Sequence, residues 1–290
     1  DFLDLPESAP ADFVKTEKTT IDRLILEIAT GYHNEYKTTK SKETLEYTQE
    51  LYAEYLRIFR DAPNAYAISY NNSLLLMMTG KYQRAAVEFE KLIAAQPEGK
   101  YADEAAERAV IAYLKNLQIE NKDVKNEAEE VLKKRDLTTE EKRFVQAVDR
   151  WMDLIKRKGV NPETADNIAP ARFAGAKINY NANRFEDAAE RFQSFVENHQ
   201  DHPFWEDAAR HVLSSYNLAH DADNLQLYAN RYKENPQLMA TSLADDVDRI
   251  RNEFNFLECF KFEKREEHQG AAKCFLQYSK DYPDAEKAPA

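Results

Sequence analysis

The stretch YAISYNNSLLLMMTGKYQRAAVEFEKLIAAQP, Tyr66 to Pro97, reads as two short antiparallel helices. In its first half Ser73 sits among Tyr70, Leu74, Met77 and Met78, and Gly80 with Tyr82 breaks the run. Ala85, Phe89 and Leu92 then recur at helical spacing until Pro97. That is a helix hairpin closed by a proline.

The pattern returns twice. Ser73 to Ala85 spans 12 positions, Ala85 to Phe89 spans 4, and Phe89 to Leu92 spans 3. The same offsets join Ala176, Ala188, Phe192 and Phe195, and again Cys259, Ala271, Phe275 and Tyr278. Each position has a mechanical reason. Two helices cross closely only where both present a small side chain, and an aromatic one turn further along fills the wedge between them. Proline ends the second helix at Pro97 and Pro283, and three residues late at Pro203.

These features resemble the tetratricopeptide repeat, a 34-residue hairpin with small residues at its eighth and twentieth positions, an aromatic at the twenty-fourth and a proline near the end. Departures mark the copies as degenerate. Ser69, Arg172 and Asn255 replace the fourth-position tryptophan, and Leu76, Asn179 and Phe262 replace the eleventh-position tyrosine. The resemblance implies an all-α, right-handed superhelix of about six hairpins stabilised by nearest-neighbour packing. FQSFVENHQDHPFWEDAA, Phe192 to Ala209, and FLQYSKDYPDAEKA, Phe275 to Ala288, further resemble repeats of bacterial periplasmic proteins of the outer-membrane assembly lipoprotein and cell-division coordinator type.

Composition agrees with a helical chain. Six glycines in 290 residues, with 43% hydrophobic and 32% charged residues, favour helix throughout. A net charge of −12 without a long basic run argues against a nucleic-acid surface. The triplets Lys133–Arg135 and Lys156–Lys158 are expected at helix ends, where cations offset the dipole. No window approaches the roughly 18 apolar residues of a membrane span.

In chain order, residues 1–11 are expected as an extended leader, 12–159 as a first group of repeats and 160–290 as a second, in a fragment of a longer chain. Helices are expected over Asp12–Thr39 and from Ser41, which caps, to about Pro63. Another follows over Tyr101–Leu117, with a weak polar partner near Lys122–Lys134. Thr138 with Glu141 forms a capping box for a helix to about Arg157, and Asn161–Pro162 resets the chain. Beyond the hairpin Ala171–His199 come Pro203–Leu218 and its partner Leu225–Tyr232. From Pro236, a stripe of Leu243, Val247, Ile250, Phe254 and Leu257 runs through one long helix or two.

No nucleophile and base converge in the sequence, and no phosphate-cradling glycine loop or zinc-protease motif is present. His199, Asp201 and His202 fall in an inter-repeat turn, where polar residues belong anyway; His33, His211, His220 and His268 read as ordinary helix-face residues. Neither metal, cofactor nor catalysis is expected. Cys259 occupies a small-residue slot and is expected as a packed thiol, with Cys274 beside the buried stripe of the partner helix. A disulfide between them is the alternative, and it needs backbones within about 7 Å.

The resemblance implies a ligand groove on the first helices of the hairpins. Carried over, it selects Ala67, Tyr70, Leu74, Met77 and Met78; then Pro170, Phe173, Lys177, Tyr180 and Asn181; then Glu253, Phe256, Phe260, Glu263 and Lys264. Such a surface suits an amphipathic helix or an extended peptide with bulky side chains, and packing against the chain's own next helix is the competing role. Lys177 and Asn181 alone do not make a clamp for a free carboxylate. The functional expectation is a non-enzymatic scaffold that docks a protein or peptide, in a bacterial cell envelope. A cytoplasmic regulatory or co-chaperone module, an enzyme with an unrecognised site, and self-association stand as alternatives.

Overall fold

The computed structural model describes residues 10–117, 133–159 and 165–283. Among them the regular structure is wholly helical. The helices are α1 Ala11–Thr39, α2 Lys42–Ile58, α3 Ala65–Met78, α4 Tyr82–Ala95, α5 Ala102–Leu117 and α6 Thr139–Lys158, followed by a 3-10 turn at Ala165–Asn167. Then come α7 Ile168–Asn181, α8 Phe185–Asn198, α9 Trp205–Leu218, α10 Ala222–Lys233, α11 Pro236–Met239, α12 Leu243–Lys264 and α13 His268–Asp281. None is long and apolar enough to cross a membrane.

Local signals place the helix starts. The Ser41 side chain accepts from the Thr44 N–H at 3.3 Å, as an N-cap should. Thr138 and Glu141 exchange the reciprocal capping-box bonds at 2.8 and 3.2 Å. Arg135 adds a fork of two 2.7 Å bonds to Glu141, which holds that carboxyl below its ordinary range. Asn235 caps α11 over Pro236, and a break at Ala240–Ser242 makes the expected long helix two. Lys156–Lys158 form the last turn of α6, as anticipated. Lys133–Arg135 are themselves outside any helix, with the segment before them outside the described residues, and the Arg135 N–H donates to the Ala182 carbonyl at 3.0 Å. The leader through residue 9, most of the polar helix expected near Lys122–Lys134, and Asn161–Pro162 lie outside the described residues.

Consecutive helices pack in pairs: α1 on α2, α3 on α4, α7 on α8, α9 on α10 and α12 on α13. The small-residue crossings are closed. Ser73, Ala85, Ala176 and Ala188 have no exposed surface, and Cys259 and Ala271 are buried. Phe89 and Phe192 fill their wedges completely, whereas Phe275 stays half-exposed.

Four hairpins share a backbone device. Gly80, Asn183, His220 and Glu266, each following the first helix of a pair, adopt φ of 73°, 56°, 56° and 60°. Around each, one N–H reaches back five residues and its predecessor three: Lys81 to Leu76 and Gly80 to Met77, Arg184 to Asn179 and Asn183 to Tyr180, Asp221 to Tyr216 and His220 to Asn217, Glu267 to Phe262 and Glu266 to Glu263. This is the Schellman closure, which satisfies carbonyls the helix end leaves free. Glycine suits it best, yet three of the four sites use a side-chain-bearing residue.

That closure also exposes a copy hidden by size. In α9–α10 the offsets fall on Leu213, Leu225, Ala229 and Tyr232, all buried. Here large leucines occupy the small slots, and alanine takes the aromatic's place. The order of large and small residues is exchanged, and all four still reach the buried interior.

The described residues form two compact units. One holds α1–α5, α6 from Lys142, and the turn ending at Asn167; the other holds residues 133–141 and α7–α13. In the first, Ala29, Leu45, Tyr52, Tyr55, Ile68 and Leu75 form one cluster. Phe144, Val148 and Trp151 bury the inner face of α6. In the second, a continuous core runs from Ala169 on α7 to Val247 on α12.

Cys259 and Cys274 are joined by a disulfide, with Cα atoms 5.4 Å apart. The expectation of an inert packed thiol is therefore corrected: the face of α13 beside its buried stripe comes within bonding range of the small slot. Closing a loop of this size stabilises by about 3 kcal/mol in the chain-entropy account.

The Glu107 carboxyl is 3% exposed and accepts a bond from the Asn167 side chain. Burial pushes its pKa up, against the lowering from Asn167 and Arg108. A carboxyl raised in the folded state costs stability wherever it is ionised, so the fold gains as pH falls from above that raised value toward the ordinary 4.5. Glu107→Gln keeps an acceptor for Asn167 and removes the charge. It is expected to raise the melting temperature at pH 7 and to flatten its dependence between there and pH 4.5, read by circular dichroism melts.

Candidate functional site

The carried-over groove residues have different fates. Tyr70 is buried, stacked on Tyr101 with centroids 4.4 Å apart and 6.0 Å from Phe89. Phe173 is buried against Phe192, Phe195 and Phe204, at 5.4, 5.6 and 4.8 Å. Tyr180 has no exposed surface; its hydroxyl meets the Ser214 hydroxyl at 2.8 Å. These aromatics point at the chain's own following segment and have no face to offer a ligand. Leu74, Met77 and Asn181 are half-buried, and Met78 is exposed.

Lys177 is also buried, within a polar chain. Its ammonium donates to His211 Nε2 at 3.0 Å, so Nδ1 carries the imidazole proton and donates to the Asp207 carbonyl at 2.7 Å. Desolvation pushes the Asp207 carboxyl up, but the His211 hydrogen bond and the nearby Lys177 and Arg210 charges outweigh it and hold it low. His211 is 1% exposed and Lys177 3%. His211 is thus a core residue rather than the helix-face residue expected, and a substrate cannot reach either group. Elsewhere, His199 and His202 pack on Phe195, and His199 Nε2 lies 3.2 Å from the Arg172 guanidinium. Burial, then Arg172, push the His199 pKa down to about 4. No group of side chains among the described residues is arranged to hold a metal.

In the last hairpin α12 is turned differently from the register that the sequence resemblance implies. Phe256 packs on Phe275 and Tyr278 at 5.6 and 5.3 Å, and Phe260 on Phe275 at 5.3 Å. Both face α13, and Lys264 is exposed in the last turn. A different stripe of α12 meets open space. Leu243 and Val247 are buried, Ile250 and Phe254 half-buried, and Leu257 is 46% exposed. One apolar row therefore starts in the core and emerges from it.

It emerges into a cleft of about 750 Å³ between α9, α10 and α12. Leu213 and Leu225 supply the apolar surface opposite Ile250, Phe254 and Leu257. The N-terminal halves of α9 and α12 are tethered: Arg210 bonds Ser242 at 2.8 Å and pairs with Asp246, while Ser242 donates to Glu206 at 2.5 Å. Beyond the tether the walls are Ser214, Asn217 and His220 on one side and Glu253 on the other. Apolar in its depth, polar at its rim and open along one side, the cleft has the make-up of a recognition groove. The sequence register missed it because Phe256 and Phe260 look equally apolar; the spacing of Ile250, Phe254 and Leu257 was the available signal.

A second cleft, of about 580 Å³, lies between α4, α5 and α6, with Ile93, Ala109, Ala147 and Leu154 inside. Its rim cations are already paired, Arg150 with Glu90, Lys156 with Asp153 and Arg157 with Glu98.

The class these features define is a protein of consecutive helix hairpins with repeat-specific crossings. No protein-family model matches the chain, and no curated protein does. Solved structures similar to it include a tetratricopeptide repeat protein from Parabacteroides merdae ATCC 43184, 12% identical over 92% of this chain and 94% of that one, with a TM-score of 0.39. YrrB, a TPR protein with an unusual peptide-binding site, is 17% identical over 80% and 96%, TM-score 0.39. BtubC from P. vanneervenii is 10% identical over 93% of each chain, TM-score 0.34. Scores that low carry over neither overall shape nor ligand.

The burial of Phe173 predicts a structural phenotype. Phe173→Ala should cost about 3–5 kcal/mol, lowering the midpoint of urea unfolding, whereas Met78→Ala at the exposed end of α3 should leave it within about 0.5 kcal/mol.

Proposed function

We propose that this protein is a non-enzymatic docking scaffold that receives a segment of a partner protein in the groove between α9 and α12. The observation that carries the reading is the apolar row of α12, which leaves the core at Val247 and continues through Ile250 and Phe254 to the exposed Leu257. Exposed apolar surface rimmed by polar groups is costly to keep unless something covers it. A partner segment with two or three bulky apolar side chains on one face, as in an amphipathic helix, fits the space, and its polar face meets Asn217, His220 and Glu253. Met78 and Leu74 of α3 remain as secondary contacts.

The reading includes an oxidising compartment, in keeping with a bacterial cell envelope. Its support is the Cys259–Cys274 bridge, since disulfides persist outside the cytoplasm and are rare within it. Thiol trapping in the source cells, by acid quench and alkylation, should find both cysteines protected. Complete alkylation of both cysteines would favour the cytoplasmic alternative.

The groove is tested by selecting from a displayed random-peptide library on the oxidised protein. Enriched peptides should share spaced bulky apolar residues, and Leu257→Glu should weaken them at least tenfold, about 1.4 kcal/mol, with an unchanged melt. Peptides that bind the variant equally well would place recognition elsewhere.

A further inference from the structure

The groove wall is held at two points of very different strength. Leu243 and Val247 anchor the start of α12 in the second unit's core, and Cys259 is the next residue of the helix to be buried. The wall residues Ile250, Phe254 and Leu257 lie between those two anchors. Cys259 is held by α13, which itself buries only Ala271 and Tyr278. Phe256 and Phe260 add ring contacts to Phe275, yet Phe260 is exposed and Phe275 only half-buried. The covalent bridge to Cys274 therefore makes up for thin packing at the far end of the wall.

From this we infer that the Cys259–Cys274 disulfide is a redox control on the α9–α12 groove: oxidised, it fixes the wall for binding, and reduced, it lets the far half of α12 and α13 loosen and the groove lose affinity. The inference rests on the docking reading above. It goes beyond it by naming what regulates the site.

The chemistry is a two-electron thiol–disulfide exchange with a dithiol reductant. Cys274 is half-buried and Cys259 fully buried, so the reductant's thiolate attacks Cys274 Sγ, the S–S bond breaks, and Cys259 leaves as a thiolate that takes up a proton. The reductant's second thiolate then displaces Cys274, which is protonated in turn, and the reductant departs as its own disulfide. The reduced Cys259 has an acceptor in place, since the Asn255 carbonyl lies 3.5 Å from its sulfur. Both product thiols stay on the hairpin, and reoxidation restores the bridge.

The experiment uses the full chain, oxidised, reduced with dithiothreitol, and reoxidised. Hydrogen exchange of residues 250–260 is measured alongside the affinity of a library-selected peptide whose binding Leu257→Glu abolishes. Reduction is expected to lower protection over 250–260 at least tenfold, to leave α7 and α8 unchanged, and to raise the peptide Kd at least tenfold, with both effects reversed on reoxidation. Cys274→Ser should behave as the reduced protein does. A groove-binding peptide with equal Kd in both redox states overturns the control while leaving the docking reading intact. Unchanged protection of 250–260 on reduction overturns it without any peptide, and failure to select a peptide sensitive to Leu257→Glu counts against the docking reading alone.

Discussion

Everything in this molecule depends on pairs of helices approaching closely enough to exclude water along a shared face. At Ser73 with Ala85 and at Ala176 with Ala188 the approach is possible because neither side chain stands between the two backbones. The room left where the helices splay is taken by Phe89 or Phe192. What recurs is a closed, filled crossing rather than one order of sizes, as the exchange of large and small residues among Leu213, Leu225 and Ala229 shows.

Because each hairpin is thin, it also needs the next one. Tyr70 stacked on Tyr101, and Tyr180 packed on His211 with centroids 4.9 Å apart, are the joints between successive segments. The buried Lys177–His211–Asp207 chain belongs to such a joint. A buried ammonium is tolerable only where hydrogen bonds and neighbouring charges compensate its lost hydration, and an imidazole acceptor beside a carboxylate supplies part of that. Stability of this kind diminishes toward the end of the described array, where Phe275 and Leu276 are left partly or largely exposed.

That decline is what makes α12 the functional candidate. A helix anchored in the core at one end and in a sparse hairpin at the other presents a wall whose position is set by few contacts. The disulfide then matters more than it would inside a thick core. The N-terminal tether through Arg210, Ser242 and Asp246 keeps the groove from opening as a whole, so any change is concentrated at its far side.

The sequence by itself determined where the helices are and how they pair, because helical period, capping chemistry and small-residue crossings are local properties. Ser41, the Thr138–Glu141 box and the offsets from Ser73, Ala176 and Cys259 were readable for that reason. Only the tertiary structure decided how each helix is rolled toward its next neighbour. Periodicity marks an apolar face, but it does not say whether the chain's own next helix covers it, as at Phe173, or leaves it open, as at Leu257. The left-handed closures at His220 and Glu266 were hidden for a local reason, since neither residue is the glycine such a turn favours. The bridge from Cys259 to Cys274 was hidden by the same limit as the groove, because it depends on how α12 and α13 are rolled against each other.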